Sequence, residues 1–159
     1  MSDPVIEFLN SNRDGWSGAM DLRFVSASAD EVVAEWTVGT QHLQAYGIVH
    51  GGVHAGVIET LAAVGAALHA MPQGQSVAGL ENHTSFVRAV RAGAALRATA
   101  RPLSRGKSSQ LWEVSVMDVD GKLVATGRVR LLCFDSNRPI AGELPHVDLR
   151  STTEQPARR

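Results

Sequence analysis

Glu59 is the only formally charged side chain between Glu35 and Glu81, and it stands inside VHAGVIETLAAVGAAL, a run made almost wholly of Ala, Gly, Val, Ile and Leu. An ionisable group among apolar neighbours is costly unless it is paired or used, so this carboxylate is the first candidate for chemistry. It could attack a carbonyl carbon to form an anhydride, or take a proton from water, and the residue type does not choose between the two. The bland alternative is a buried Glu that caps a neighbouring strand or helix. Upstream, His50-Gly51-Gly52 marks a helix start, where backbone amides have no internal partner. At Gly51 such an amide, aided by the helix dipole and by a close approach past a missing side chain, suits a developing oxyanion. The competing reading is that the glycine pair only permits a tight entry into the helix. Gln44 and His50 are polar groups in a loop without charges, able to orient a carbonyl or a water, although a His at a helix start is also a natural cap.

Other residues offer binding rather than chemistry. Arg88, Arg91, Arg101, Arg105 and Lys107 fall at the ends of the later strand-like segments, where they could hold phosphates or simply be solvated. In Ser104-Arg105-Gly106-Lys107-Ser108 the glycine could free amides for an anion beside two cations. Asn82, His83, Thr84 and Ser85 form a polar run inside a strand, so alternate members face opposite ways and could line a pocket or bond the helix. His54, His69 and His83 have no ligand-like spacing to a carboxylate or a cysteine, and no metal is expected. Trp16, Trp36, Trp112 and Phe86 read as core or interface.

The elements that must position these groups follow from the pattern. Residues 41–49 read as an uncharged loop feeding one long helix that begins at His50-Gly51-Gly52 and ends at Met71-Pro72-Gln73-Gly74. It shows no polar face, so it is expected to be surrounded by protein. A membrane span is disfavoured by four glycines in the stretch (Gly51, Gly52, Gly56, Gly65) and by Glu59 at its middle. Asp3 and Pro4 open a short leading helix, and residues 14–18 punctuate it. Segments 21–28 and 31–38 read as a hairpin; 76–90, 94–104, 109–118 and 123–134 read as strands of a sequential antiparallel sheet. The expected class is α+β, with the helix across the concave face of a curved sheet. The chain of 159 residues suits one domain, its 15 Lys and Arg balance 16 Asp and Glu, and bulk charge therefore argues against nucleic-acid or membrane partners. Cys133 is alone, so no intrachain disulfide is expected. The first residues lack the basic start and apolar core of a signal peptide, which makes cytoplasm the expected location.

Three motifs carry a resemblance: Gln44 with His50-Gly51-Gly52 and Glu59, then Val77-Ala78-Gly79-Leu80-Glu81-Asn82-His83, then Asp120-Gly121-Lys122-Leu123-Val124-Ala125-Thr126-Gly127. Together, over 18–134, they resemble the hotdog-fold acyl-CoA thioesterases of the 4-hydroxybenzoyl-CoA and phenylacetate-type branch. The resemblance implies a hotdog fold, one central helix wrapped by about six antiparallel strands, with the sheet continued across a homodimer that often pairs again into a homotetramer. It implies an acyl-CoA thioesterase that hydrolyses a small acyl-CoA, with aromatic acyl groups favoured by the branch and medium-chain fatty acyl groups the alternative, to the acid and free coenzyme A, which is part of the substrate and not a cofactor. Glu59 then carries the chemistry, Gly51 supplies the oxyanion amide, and His50 and Gln44 position the reactants. Asn82, His83, Arg88, Arg91, Ser104, Arg105, Gly106 and Lys107 become candidate substrate contacts. The domain limits expected are a leading helix and loop in 1–17, the hotdog unit in 18–134 and an extended tail in 135–159. One position departs from the pattern. Ala63 stands one helical turn after Glu59, where members often carry Ser or Thr, and Thr60 points about 100° away around the helix. A non-catalytic acyl-CoA binder and an acyl-thioester hydratase or dehydratase are the alternatives.

Overall fold

The computed structural model describes residues 3–12 and 15–145. Two short helices, α1 (Pro4–Ser11) and α2 (Trp16–Ala19), precede strands β1 (Arg23–Ala27) and β2 (Val32–Thr37). The 20-residue helix α3 (Gly51–Ala70) follows, and then β3 (Gln75–Phe86), β4 (Ala95–Arg105), β5 (Ser109–Asp118) and β6 (Leu123–Asp135). Asp3 caps α1 by accepting from the Val5 amide at 2.9 Å, and Pro4 occupies the first turn, where no amide is needed. Residues 14–18 were expected only to punctuate; from Trp16 they wind into α2 instead. Of the expected tail, Asp135 still belongs to β6, 136–145 holds two turns, one closed by the Arg138 amide on the Asp135 carbonyl and one in which Ile140 and Glu143 exchange backbone hydrogen bonds, and the remainder lies outside the described residues.

The six strands form one antiparallel sheet in the order β1-β2-β4-β5-β6-β3. The expectation of a sequential sheet is corrected here: only β4, β5 and β6 meander in order. Helix α3 carries the chain from β2 to the far edge, so β3 pairs with β6, and β4 returns to pair with β2. β3 also ends earlier than expected, because the amides of Val87 and Arg88 both turn to the Val124 carbonyl and leave the ladder.

Helix α3 lies on one face of this sheet. Val53, His54, Val57, Ile58, Leu61, Ala62, Gly65, Ala66 and Ala70 are buried beneath it, against Trp112, Val114 and Val116 of β5 and Val129 and Leu131 of β6. The expectation of a helix buried all round is also corrected: Ala55, Gly56, Glu59, Thr60, Ala63, Val64, Ala67 and Leu68 form a partly exposed stripe along its outer side. The helix is long and apolar enough to cross a membrane by length and composition alone, and its seat on the sheet accounts for that composition. The other face of the sheet is charged. Glu35 accepts from Arg23 at 2.7 Å and from Arg97, while Glu113 pairs with Arg128 and Glu81 with Arg130, both at 3.2 Å. Such exposed pairs contribute little to stability, about 0–1 kcal/mol each, but they fix which face meets water.

Three helical glycines each make room for an aromatic ring from elsewhere in the chain. A Cβ at Gly51 would meet Phe86 at 2.8 Å, one at Gly56 would meet Trp16 at 2.3 Å, and one at Gly65 would meet Trp112 at 2.4 Å. Trp112 has no exposed surface, and its Nε1 donates to Gln110 Oε1 at 2.9 Å, so its ring cannot retreat. Gln110 in turn donates to the Ala66 carbonyl at 3.1 Å, which ties the helix to β5. Gly65→Ala is therefore expected to destabilise the fold by about 3 kcal/mol, the upper range for overpacking a well-filled core. Urea unfolding followed by tryptophan fluorescence measures this, and an unchanged midpoint would show that the ring can move.

Candidate active site

Glu59 sits on the outer half of α3, on the side nearest β3. Its Oε1 lies 3.2 Å from where a Cβ of Gly79 would be. It is half-buried and makes no hydrogen bond or ion pair among the described residues. Burial pushes its carboxyl above the ordinary glutamate value, and nothing nearby opposes that shift. The carboxylate is thus both poorly solvated and unengaged.

The start of α3 is built around histidines. His50 is the N-cap: its Nδ1 accepts from the Gly52 amide at 2.8 Å. That bond requires an unprotonated Nδ1, so the neutral ring carries its proton on Nε2 and keeps an exposed donor. The Gly51 amide has no partner among the described residues, as expected of a first helical turn. His42, which the sequence reading passed over, anchors this region. It is fully buried, its Nδ1 accepts from the Gly39 amide at 2.8 Å, its Nε2 donates to the Met20 carbonyl at 2.9 Å, and its own carbonyl accepts from the His50 amide at 2.8 Å. Gln44 follows in a tight turn closed by Gln44 N–H to the Ile48 carbonyl at 2.9 Å, with Gly47 at φ 69. Arg91 braces this turn, reaching the Tyr46 and Gly47 carbonyls at 3.4 Å. His54 lies one turn into the helix, buried, with Nδ1 unpartnered and its ring 6.5 Å from that of Phe86. Burial, and secondarily electrostatic interaction with His42, hold its imidazole below the ordinary value.

Within one chain, Glu59 and the Gly51 amide do not meet. They are separated along the helix by about 12 Å at 1.5 Å per residue, too far for one carbonyl group to touch both.

The polar run of β3 divides by face. Asn82 donates to the Ala55 carbonyl on α3 at 2.9 Å, and Thr84 Oγ1 donates to Asn82 Oδ1 at 2.6 Å. His83 alternates to the opposite side, beside Arg128 in the ladder. The five cations, expected at strand ends, divide between the two ends of the sheet. Arg88 and Arg91 are at the end that holds the start of α3. Arg105 is at the other end, paired with Asp30 at 2.9 Å and donating to the Ala29 carbonyl, while Arg101 pairs with Glu31. The Gly106 amide is not free for an anion, because it donates to the Ser109 carbonyl at 2.9 Å; Ser104 and Lys107 flank that turn, and the Lys107 carbonyl accepts from Gln75.

Residues 46–125 match the thioesterase superfamily. A Mycobacterium tuberculosis protein provisionally named an esterase is 40% identical over 114 residues, 70% of this chain and 81% of its own length. Its structure aligns with TM-score 0.73 at 36% identity, over 77% of this chain and 98% of that one. The 1,4-dihydroxy-2-naphthoyl-CoA hydrolase of Escherichia coli is 30% identical over 126 residues, 79% of this chain and 91% of the enzyme. A Haemophilus influenzae thioesterase structure aligns with TM-score 0.77 at 25% identity, covering 84% and 92% of the two chains. A long apolar helix bearing one unpaired carboxylate, laid on a six-stranded antiparallel sheet, is thus the hotdog fold of a hydrolase acting on thioesters, and this chain belongs to the thioesterase superfamily.

Proposed function

We propose that the protein hydrolyses an aromatic acyl-CoA to the carboxylic acid and free coenzyme A, with Glu59 as the reacting carboxylate. The observation that carries this reading is the half-buried, unpartnered carboxyl of Glu59 on an otherwise apolar helix face. As nucleophile it attacks the thioester carbonyl, expels the thiolate and leaves an anhydride for water to open; as base it takes the proton of the attacking water. Either route develops negative charge on the carbonyl oxygen, and the free Gly51 amide at the positive end of α3 is the donor suited to it. The Nε2–H of His50, the residue before that amide, and the side chain of Gln44 from the preceding loop are assigned as orienting donors.

The distance between Glu59 and Gly51 requires two chains. β3 is an edge strand whose stretch from Gly79 to Phe86 is exposed except at Thr84, with Leu80 at 54% and Phe86 at 61% exposure. A long open edge with large apolar residues invites pairing. Antiparallel self-pairing over that stretch sets Phe86 of a second copy opposite Gly79. Phe86 packs on Gly51 and Gly79 lies under Glu59, so the pairing brings the helix start of one copy toward the carboxylate of the other. The protein is read accordingly as a homodimer with a continuous sheet and two composite sites, which a second pairing would make a homotetramer.

Two observations support an aromatic acyl group. Trp16 lies on Gly56, one turn before Glu59 on the same half-exposed side, and Phe86 lies at the helix start. The naphthoyl-CoA hydrolase relative acts on a bicyclic aromatic ester by its name. A panel of benzoyl-, phenylacetyl-, naphthoyl-, hexanoyl- and decanoyl-CoA with thiol detection tests the reading: the aryl esters are expected to show the higher kcat/KM. Faster turnover of the straight chains would reject the aromatic assignment, and binding of every ester without thiol release would reject catalysis.

A further inference from the structure

We propose that Gly79, with the β-bulge that follows it, is the seat that positions the Glu59 carboxylate, making Gly79 a positioning residue for the hydrolysis. The inference rests on Glu59 being the reacting group. A carboxylate with no hydrogen bond or ion pair is held by shape, and Gly79 supplies the shape. A Cβ built there would meet one heavy atom within 4 Å, Glu59 Oε1 at 3.2 Å. Gly79 is not among the residues with positive φ, so the backbone conformation does not demand glycine. What the position demands is room for the carboxylate.

The bulge completes the seat. Gly79 faces Leu131 and Glu81 faces Arg130, so Leu80 is an extra residue in the β3 ladder. Side chains alternate along a strand, and one inserted residue reverses the alternation beyond it. Val77 and Gly79 face α3 before the bulge; after it Asn82, Thr84 and Phe86 do. Without the insertion Glu81, His83 and Ser85 would turn toward the helix instead. Because of the reversal, Asn82 reaches the Ala55 carbonyl at 2.9 Å, the same carbonyl that accepts from the Glu59 amide in an α-helix. Thr84 holds Asn82 Oδ1 and so directs its amide nitrogen to the helix. β3 is thereby pinned to the turn that carries Glu59, with an open floor under its carboxylate.

Gly79→Ala and Gly79→Ser, made in the full chain, test this. An added methyl forces the carboxylate to give by a few tenths of an ångström. With benzoyl-CoA as probe, kcat of Gly79→Ala is expected to fall about tenfold with KM within about twofold, since small misplacements of a reacting group cost rate more than binding. The methyl also displaces water, so the titration of the Glu59 carboxyl, read by carbon-13 NMR and assigned with Glu59→Gln, moves upward. Gly79→Ser puts a hydroxyl donor at the same point and is expected to move that titration below the alanine variant's. A merely structural glycine would lower the unfolding midpoint of both variants and leave the titration where it was, which would overturn the seat. Unchanged kcat and unchanged titration in Gly79→Ala would overturn it equally. Full turnover in Glu59→Gln would instead reject Glu59 as the reacting group, while the titration arm still reads the seat.

Discussion

Glu59→Gln is expected to lower kcat by about 10²–10⁴ and, at pH 8, to raise the thermal midpoint of the protein. The first effect follows from chemistry: an amide is neither a base nor a nucleophile at the strength the reaction needs, and a positioned acid–base group is worth about 10²–10⁴ in rate. The second follows from burial. The folded-state pKa of Glu59 lies above that of the unfolded chain, because the low-dielectric helix face disfavours the charged form and no donor offsets it. Below the ordinary carboxylate range both states are protonated and the residue costs nothing. Above the folded-state value the full cost of ionising a desolvated carboxylate weighs on the native state, so stability falls as pH rises through that window. Glutamine cannot ionise, and the variant escapes the cost. The midpoint difference between variant and parent should therefore widen from acidic to alkaline pH and close again in acid. In the parent enzyme the same titration appears as an acid limb of kcat/KM displaced above the usual glutamate range. Scanning calorimetry and a pH–rate profile measure the two sides. A variant that loses activity but gains no stability at alkaline pH would show that Glu59 is solvated, and retained activity would reject its role.

How much of this was legible beforehand depended on how local the cause was. The helix could be read because a charge-free run of small apolar residues, opened by His50-Gly51-Gly52 and closed by a proline and a glycine, is a local signal. So could the strands, whose alternation is equally local. Strand order was not, since the route of β3 to the far edge is decided by the helix crossing and by pairing between distant segments. The glycines of α3 looked like diluted hydrophobicity; Gly51, Gly56 and Gly65 are sockets for Phe86, Trp16 and Trp112, and a socket is visible only once its plug is in place. The bulge at Leu80 was equally hidden. One unpaired residue decides that Asn82 rather than His83 meets the helix, and periodicity alone cannot locate it. His42 gave no signal because a satisfied buried imidazole has the same sequence context as a loop histidine. Successive antiparallel strands finish at opposite ends of a sheet, so Arg91 after β3 and Arg105 at the end of β4 separate. In contrast, the gap of about 12 Å between Glu59 and Gly51 followed from helical rise alone.

That gap supports the second large effect. Gly51→Pro is expected to lower kcat by about 10²–10³, the usual consequence of removing one oxyanion donor, while leaving the fold intact. Proline at the first position of a helix removes an amide that has no internal partner, and its φ is already helical. His50 before it has φ -67 and ψ 134, the extended conformation that a residue preceding proline prefers. A Cβ at this position meets the end of the Phe86 side chain at 2.8 Å, so that ring must shift to admit the proline. Mixing this variant with Glu59→Gln then distinguishes a composite site from a self-contained one. In a mixed dimer of two-fold symmetry, one site takes its carboxylate from the Gly51→Pro chain and its amide from the Glu59→Gln chain, and is intact; the other is doubly defective. Random reassociation of equal amounts makes half the dimers mixed, so about a quarter of parental turnover should return from two inactive preparations. If carboxylate and amide came from the same chain, every site in the mixture would carry one lesion and no activity would reappear. Recovery to near a quarter requires that the helix start of each chain serve the carboxylate of its neighbour.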